Sequence, residues 1–357
     1  MKVIISGGGT GGHIFPAIAI ANKIKEHNNK ADILFVGALG KMEMEKVPNA
    51  GYKIEGLWIS GIKRKLSADN LLFPFKLLSS LMKSAKIIKK FKPDVVIGVG
   101  GFASGPLLYR AAEFGIPTLI QEQNSYPGIT NKILSKKVNK ICVAYDGMNK
   151  FFPESKITKT GNPVREDILS STINKEEAAK HFDLDINKKT CLIVGGSQGS
   201  RTLNTAISAA IAEVVNSDIQ LIWQTGPQFL SEAKKVCKDR ENIWVDSFIN
   251  RMDLAYAMAD IVVSRAGAST ISELCLVAKP CILVPYPYAA EDHQTKNAKA
   301  LVDNNAAILV TDANASKDLV PELLKLMNDG SMQKNFASNL KSMALPNSSD
   351  LILKEIL

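Results

Sequence analysis

A histidine directly follows a glycine-rich segment near the start of the chain. Residues 7 to 12 read Gly-Gly-Gly-Thr-Gly-Gly, His13 comes next, and an apolar helix start follows. Glycines let backbone N–H groups approach a ligand closely, and the positive end of a helix dipole points to the same place. The pattern predicts a site for an anion or a sugar beside a titratable imidazole, with a turn that only packs as the alternative.

The glycine-rich segment also satisfies G-x-G-x-x-G through Gly7, Gly9 and Gly12. The dinucleotide fingerprint additionally requires an acidic residue at the end of the second strand, where it holds a ribose. Here the predicted second strand, residues 33–36, is followed by Gly37 and Ala38. NAD is therefore not expected as a ligand.

A second glycine-rich segment, residues 195–199, surrounds Ser197 and follows another apolar strand. Its G-x-S-x-G spacing matches the nucleophile elbow of α/β-hydrolases, which would need His293 and an acid chosen from Asp246, Asp253 and Asp260. In the favoured interpretation, Ser197 and the loop N–H groups bind a diphosphate at a helix N-terminus. The hydrolase alternative leaves the first glycine-rich segment without a role.

Polar residues follow several other predicted strands. Glu273 lies beyond the small-residue segment 264–272, Gln294 ends segment 285–294, and Glu122 and Asn124 leave a strand of the first half. A carboxylate at Glu273 can accept both hydroxyls of a ribose, and the alternative is an acid that caps the first helical turn. Gln294 can donate to and accept from sugar hydroxyls.

Strands and helices alternate along the whole chain, which predicts an α/β fold with parallel sheets covered on both faces. A turn-rich segment, residues 160–165, separates two such series. We therefore expect two Rossmann-like, doubly wound domains that face a shared cleft, with ligands at the carboxyl ends of the strands. The predicted strands are residues 3–6, 33–36, 95–99, 118–121, 140–143, 190–194, 220–224, 243–245, 261–264, 281–285 and 307–310.

Length and composition agree with two soluble domains. The chain has 357 residues, 46% of them hydrophobic, and no apolar run approaches the roughly 20 residues that span a bilayer. Without a signal-peptide pattern, the protein is expected to stay in the cytosol. The five cysteines show no C-x-x-C spacing, so they are expected to be buried free thiols rather than metal ligands or disulfides.

The positive charge is concentrated in the first half. Residues 1–160 carry a net charge of +13, whereas residues 161–357 carry −4. The segment from Lys63 to Lys92 mixes nine basic residues with large apolar ones, a composition typical of a surface that lies on anionic lipid. The alternative is a solvated basic face over an ordinary core helix. Nucleic acid is not expected, because no aromatic platform or nucleic-acid motif is present.

Taken together, the motifs resemble the MurG family, the bacterial N-acetylglucosaminyltransferases of peptidoglycan synthesis. The resemblance covers nearly the whole chain in the family's order. Its departures are Gln121, where the family often has histidine, and a shifted segment 289–294. The motifs that carry it are residues 7–16, 100–106, 122–124, 161–165, 195–199 and 265–273, together with Gln294 and Asn297.

The resemblance implies a GT-B glycosyltransferase with an acceptor and membrane-facing domain at 1–162 and a UDP-GlcNAc-binding domain at 163–344. The final helix, about 345–357, would pack back on the first domain. The enzyme would move GlcNAc from UDP-GlcNAc to the 4-hydroxyl of MurNAc in undecaprenyl-diphospho-MurNAc-pentapeptide (lipid I), with inversion, and form lipid II for cell wall biogenesis. It would work as a peripheral protein at the cytoplasmic face of the inner membrane.

The resemblance also implies roles for individual residues. Ile249 would meet the uracil through its backbone, Glu273 the ribose and Ser197 the diphosphate. His13 is the favoured general base and Glu122 the alternative. No metal or cofactor is expected, because a helix N-terminus and donors can stabilise the departing diphosphate. The rest of the site would be lined by Thr10, Gly11, Gly12, Asn124, Arg165, Ala268, Ser269, Thr270, Ile271, Ser272 and Gln294.

Two rival functions share this architecture. A UDP-GlcNAc 2-epimerase would isomerise the nucleotide sugar without a lipid acceptor. A non-catalytic membrane-docked protein would bind UDP-GlcNAc and transfer nothing. The basic apolar segment 63–92 has no evident purpose in the epimerase.

Overall fold

The computed structural model describes residues 1–61, 71–164, 168, 174–196, 198–238 and 240–357. The chain divides into two compact units, the first formed by residues 1–165 and 347–357 and the second by residues 166–346. Several residues with predicted roles lie outside the described residues: Lys63, Arg64, Lys65, Arg165 and Ser197.

The first unit is built on a parallel sheet of order β3-β2-β1-β4-β5-β6-β7 within the described residues. The apolar strand residues are buried on both faces, as Ile4 packs into one core and Val3 and Ile5 into the other. The strands are β1 (Lys2–Ser6), β2 (Asp32–Ala38), β3 (Lys53–Leu57), β4 (Val95–Gly98), β5 (Thr118–Glu122), β6 (Lys140–Val143) and β7 (Ile157–Lys159). The helices are α1 (Gly11–His27), α2 (Glu43–Asn49), α3 (Phe73–Phe91), α4 (Ser104–Glu113) and α5 (Ile129–Leu134), with 3-10 turns at Met148–Lys150 and Glu154–Lys156.

The second unit repeats the architecture with a parallel sheet of order β10-β9-β8-β11-β12-β13 in the described part of the chain. Its strands are β8 (Lys189–Val194), β9 (Ile219–Gln224), β10 (Ile243–Asp246), β11 (Ile261–Ser264), β12 (Cys281–Leu283) and β13 (Ala307–Leu309). Its helices are α6 (Lys175–Phe182), α7 (Arg201–Ala209), α8 (Ile211–Asn216), α9 (Leu230–Val236), α10 (Met252–Met258), α11 (Ala268–Val277), α12 (His293–Val302), α13 (Ala315–Asn328) and α14 (Gly330–Met343). Short 3-10 turns lie at Ala290–Asp292 and Asp312–Asn314.

The predicted fold class is confirmed, but two strands were missed. β3 and β7 are the two edge strands of the first sheet. Edge strands bury less surface, and their sequences, KIEGL and ITK, lack the continuous apolar character of the central strands.

The last helix, α15 (Ser348–Ile356), completes the first unit. Ile352 and Leu353 are buried in the same core as Ile14 and Ile20 of α1. Lys23 Nζ lies 2.9 Å from Asp350 Oδ1, and the hydrogen bond to Asp350 raises the pKa of Lys23. The end of the chain is therefore part of the core that supports the first glycine-rich loop.

The prediction of buried free thiols is confirmed. All five cysteines are free and buried. Burial raises the pKa of Cys142 and of Cys275 to about 12 and that of Cys237 to about 11, which keeps these thiols protonated at neutral pH. Among the helices of the described residues, none is long and apolar enough to cross a bilayer.

Candidate active site

In the first unit, the loops that follow β1 and β4 meet at the topological switch point of the sheet. β1 pairs with both β2 and β4, so the chain winds away from it in both directions. Ser104 joins the two loops, because its Oγ lies 3.0 Å from Ser6 O and 2.9 Å from Gly100 O and can donate to either. Ligands of doubly wound sheets bind at this position.

His13 lies at this switch point, in the first turn of α1. Its half-buried ring packs on Gly100, where φ is +99° and a Cβ would lie 2.7 Å from both Cε1 and Nδ1 of the imidazole. Glycine is required there because a side chain would displace the ring. His13 Nδ1 lies 2.8 Å from Gln123 Oε1, and Nε2 has no hydrogen bond to another described residue.

Thr10, Gly11 and Gly12 lie beside His13. Thr10 occupies the N-cap position of α1 in an extended conformation, and Gly11 and Gly12 begin the helix. Thr10 and Gly12 are exposed, so these predicted substrate contacts are accessible.

Glu122, the alternative base, is buried at the end of β5. Its carboxylate accepts hydrogen bonds from Asn124 N at 3.0 Å, Asn124 Nδ2 at 3.2 Å, Gly128 N at 3.2 Å and Asn131 Nδ2 at 2.8 Å. Both oxygens are thus engaged with donors that hold the segment leading into α5. This arrangement favours a structural role for Glu122, and it ties Asn124 to the same carboxylate.

Glu43 is a residue that the sequence analysis missed. Its buried carboxylate accepts hydrogen bonds from Gly9 N at 2.8 Å and from Ala38 N at 3.0 Å. A Cβ at Gly8 would overlap this carboxylate, so glycine is needed for the close approach. The N–H of Gly9 is therefore already engaged with an internal anion. This corrects part of the expectation for the loop, because the Gly9 amide is not available to a ligand.

In the second unit, the corresponding switch point lies at β8, which pairs with β9 and β11. The loop after β8 is fixed from the neighbouring strand, because Gln224 Nε2 donates to Gly196 O at 2.7 Å. Ser200 is the N-cap of α7, and its Oγ accepts from Leu203 N at 3.3 Å. The predicted diphosphate loop therefore leads directly into the N-terminus of a helix.

Glu273 is the sixth residue of α11, not a member of its first turn. The capping interpretation is therefore wrong. Tyr256, which the sequence analysis did not identify, is buried on α10, and its hydroxyl donates to Glu273 Oε2 at 2.9 Å. Glu273 is half-buried, and Ala268 to Ser272 precede it along α11. This geometry suits a carboxylate that accepts from a ligand while a tyrosine fixes its orientation.

Gln294 and Arg265 both support the loop after β12. Gln294 Oε1 accepts from Tyr286 N at 2.9 Å, so its oxygen is engaged within the protein and its amide nitrogen is the group suited to a sugar hydroxyl. Arg265 Nη1 lies 3.0 Å from Val284 O, 3.1 Å from Pro285 O and 2.5 Å from Asp312 Oδ1 and shares its two hydrogens among these acceptors. Arg265 is therefore a structural residue.

Ile249 lies in the segment between β10 and α10. Its side chain is 2% exposed, and its backbone makes no hydrogen bond to another described residue. A buried side chain with an unengaged backbone is suited to pairing with the edge of a base, as the resemblance implies.

Of the three acids that the hydrolase alternative could use, Asp246 ends β10 at the same end of the sheet as the glycine loop, and the other two are engaged with other groups. Asp260 precedes β11, and its carboxylate accepts from Thr190 N at 2.7 Å near the start of β8. Asp260 therefore lies at the N-terminal ends of the strands, whereas the glycine loop follows their carboxyl ends. Asp253 is paired with Arg251 at 2.7 Å, and Asp246 accepts from Ser247. Within the described residues, no group of three or more His, Cys, Asp or Glu side chains could hold a metal ion.

Asp183 and Asp185 form a D-x-D sequence, an acidic spacing that could hold a metal ion. Asp183 is the C-cap of α6, and Asp185 Oδ1 accepts from Asn187 N at 2.9 Å within the following turn. This acidic pair is thus part of the turn that ends α6.

Two doubly wound parallel-sheet units, each with a glycine-rich loop at its switch point, define the architecture of the GT-B glycosyltransferases. Two family models match the chain: the glycosyltransferase family 28 N-terminal domain over residues 3–143 and the glycosyltransferase family 28 C-terminal domain over residues 190–352. The chain belongs to glycosyltransferase family 28.

Relatives and solved structures agree with this assignment. A protein of Flavobacterium psychrophilum is 54% identical over 356 residues, which cover 100% of this chain and 97% of that protein; it is named "UDP-N-acetylglucosamine--N-acetylmuramyl-(pentapeptide) pyrophosphoryl-undecaprenol N-acetylglucosamine transferase". The crystal structure of Acinetobacter baumannii MurG matches with a TM-score of 0.78 and 28% identity, covering 99% of this chain and 98% of that one. A UDP-N-acetylglucosamine 2-epimerase matches with a TM-score of 0.67 at 13% identity, covering 100% and 95%. The epimerase likeness shows the fold alone.

Proposed function

We propose that this protein transfers GlcNAc from UDP-GlcNAc to the 4-hydroxyl of MurNAc in lipid I and so forms lipid II. The observation that carries the proposal is the end-to-end match to a relative of that name, which includes both units and both glycine-rich loops. The family membership supports a glycosyltransferase rather than a hydrolase. The epimerase shares only the fold.

The second unit holds the donor in this proposal. Glu273 accepts from the ribose hydroxyls while Tyr256 fixes its carboxylate. The backbone of Ile249 meets the uracil, and the amide nitrogen of Gln294 donates to the sugar. Ser197 contacts the diphosphate and Arg165 lines the nucleotide-sugar site, as the resemblance implies. The N-terminus of α7 favours the negative charge that develops on the departing UDP.

The first unit supplies the general base. His13 Nε2 takes the proton of the acceptor 4-hydroxyl as that oxygen forms a bond to the anomeric carbon. The bond from the anomeric carbon to the diphosphate breaks, and UDP leaves with the electron pair. A single displacement of this kind inverts the anomeric configuration. The exposed Thr10 and Gly12 and the half-buried Asn124 are the residues of this unit that would line the nucleotide-sugar site.

We also propose that the protein binds peripherally to the cytoplasmic face of the inner membrane through α3. Phe75, Leu78 and Met82 of α3 and Leu71 just before it are 58–79% exposed, at spacings of three or four residues. Lys86, Lys89 and Lys90 are exposed beside them. An apolar stripe flanked by lysines is suited to insertion among anionic headgroups. This exposure argues against the ordinary core helix, although Phe73 is half-buried against the core.

Labelled UDP-GlcNAc tests the proposal when it is incubated with the purified protein, alone and with a lipid I analogue. We expect the label to move to the lipid only when the acceptor is present. A change of the sugar in UDP-GlcNAc alone would support the epimerase. Tight binding of UDP-GlcNAc with no transfer to the acceptor would support the non-catalytic protein.

A further inference from the structure

Three buried amide side chains form a continuous hydrogen-bonded chain behind His13. Gln121, Gln123 and Asn162 are between 0% and 2% exposed. Gln121 and Gln123 come from the end of β5 and the residue after it, and Asn162 from the segment that follows β7. Buried amides are expected to have their donors and acceptors satisfied, so the direction of each hydrogen bond matters.

Backbone carbonyls fix the orientation of Gln123. Its Nε2 lies 2.9 Å from Val99 O and 2.9 Å from Gln121 O. Because a carbonyl oxygen can only accept, the group that faces these two atoms must be the NH₂ of the amide. The remaining amide atom, Oε1, is therefore the one that faces His13 Nδ1.

The same reasoning fixes the other two amides. Asn162 Nδ2 donates to the backbone oxygen of Gln123 at 3.0 Å, so Asn162 Oδ1 must accept from Gln121 Nε2, which lies 2.9 Å away. Gln121 Oε1 is left facing Gln123 Nε2, whose two hydrogens are shared among this oxygen and the two backbone oxygens. Every amide in the chain has one allowed orientation, and the orientations agree with one another.

An acceptor facing Nδ1 determines where the proton of the neutral imidazole resides. Gln123 Oε1 cannot donate, so the hydrogen bond forms only if His13 Nδ1 carries the proton. Nε2 then carries the lone pair. In the opposite tautomer, two acceptors would face each other in a largely buried position, at a free-energy cost typical of an unsatisfied polar pair.

We propose that Gln123 is a positioning residue that, with Gln121 and Asn162, holds neutral His13 in the Nδ1–H tautomer with Nε2 as the proton acceptor. The assignment of the tautomer stands on the hydrogen bonds alone. Its catalytic meaning rests on the proposed function, because Nε2 is the base only if the protein transfers a sugar to a hydroxyl. The amide carries no charge, so it orients the ring without an ion pair.

The tautomer can be measured directly by two-bond ¹H–¹⁵N correlation NMR at alkaline pH on protein labelled with ¹⁵N-histidine. The His13 signals are assigned by their loss in His13→Gln, which distinguishes them from those of His27, His181 and His293. We expect a protonated Nδ1 and an unprotonated Nε2 in the unaltered protein. A protonated Nε2 there would overturn the proposal without any further variant.

Gln123→Leu tests the positioning residue itself. The folded variant should show a mixture of tautomers, a kcat lowered about 10- to 10⁴-fold, and an unchanged KM for UDP-GlcNAc. If the folded variant keeps the Nδ1–H tautomer entirely, Gln123 does not determine the tautomer of His13. The spectra are recorded without UDP-GlcNAc or lipid I, so they test the tautomer independently of the transfer assay. If the transfer assay fails while the spectra show the Nδ1–H tautomer, only the proposed function is refuted.

Discussion

At the scale of single residues, the acids near the two switch points differ in what their oxygens already bind. Glu122 accepts four hydrogen bonds within the protein, and Glu43 binds two backbone N–H groups. Glu273 is half-buried and is oriented by the hydroxyl of Tyr256. An acid that accepts several hydrogen bonds from one loop stabilises that loop. Glu273 differs in being partly exposed, which makes it accessible to a ligand.

Glu273→Ala should weaken UDP binding. Removal of a charged acceptor leaves the ribose hydroxyls without their partner, at a cost of about 1.5–3 kcal/mol, which corresponds to a Kd raised about 10- to 150-fold. Isothermal titration calorimetry with UDP measures this change. Glu232→Ala removes the same charge from an exposed position on α9 and should leave the affinity unaltered. Equal UDP affinity in both variants would refute the ribose assignment.

His13 and Glu122 should respond differently to substitution. His13→Ala removes the proposed base and should lower kcat about 10²- to 10⁴-fold with little effect on UDP-GlcNAc affinity. Glu122→Gln turns an acceptor into an NH₂ that faces donors, so it should lower the free energy of unfolding by about 1–3 kcal/mol. Steady-state kinetics and urea denaturation measure the two effects. Near-normal turnover of His13→Ala beside an inactive but stable Glu122→Gln would transfer the role of base to Glu122.

At the scale of elements, α3 has two faces with opposite functions. Lys76, Ser80 and Lys83 face the first unit, where their side chains donate to Ser60, to Trp58 O and to Gly56 O. The opposite side carries the exposed stripe that includes Phe75 and Leu78. The inward face also buries Ile87 and Ile88 in the core, so α3 packs as an ordinary amphipathic helix there and carries a second, exposed apolar stripe that its packing does not require.

Replacement of both Phe75 and Leu78 by serine should weaken binding to vesicles that contain anionic lipid by tenfold or more. Each buried large apolar side chain contributes about 1.5–3 kcal/mol. Thermal stability and UDP affinity should be preserved, because both side chains are exposed. Sedimentation with vesicles at low and high salt measures the binding, which salt should also weaken. Phe73→Ser is the matched control and should lower Tm, since Phe73 packs on the core. Unchanged vesicle binding of the double variant would show that α3 does not contact the membrane.

The first glycine-rich loop depends on an acid from another element. Glu43→Gln replaces one carboxylate oxygen with an NH₂ that faces a backbone donor, so the free energy of unfolding should fall by about 1–3 kcal/mol. The amide of Gly9 should also exchange its hydrogen faster, which NMR measures. Glu45→Gln, on the exposed side of the same helix, should change neither quantity. Equal Gly9 exchange in the two variants would show that Glu43 does not hold the loop.

At the scale of the whole molecule, the alternation of strands and helices was sufficient to predict two doubly wound units. Local apolar runs identified the central strands, but β3 and β7 were missed because edge strands carry weaker patterns. Sequence patterns also located His13 and Gln294 in the first turns of helices and Glu273 on the helix that follows β11. They could not reveal Tyr256, Glu43 or the direction of the Gln123 amide, since each depends on contacts between residues distant in sequence.

The anomeric configuration of the product tests the central claim most directly. Inverting transfer from the α-linked donor should give lipid-bound GlcNAc in the β configuration, which the coupling constant of the anomeric proton reports in an NMR spectrum of the purified product. We predict a β-linked disaccharide that forms only when the lipid I analogue is present. An α-linked product, or GlcNAc released or isomerised without acceptor, would contradict the account of a single displacement by this enzyme.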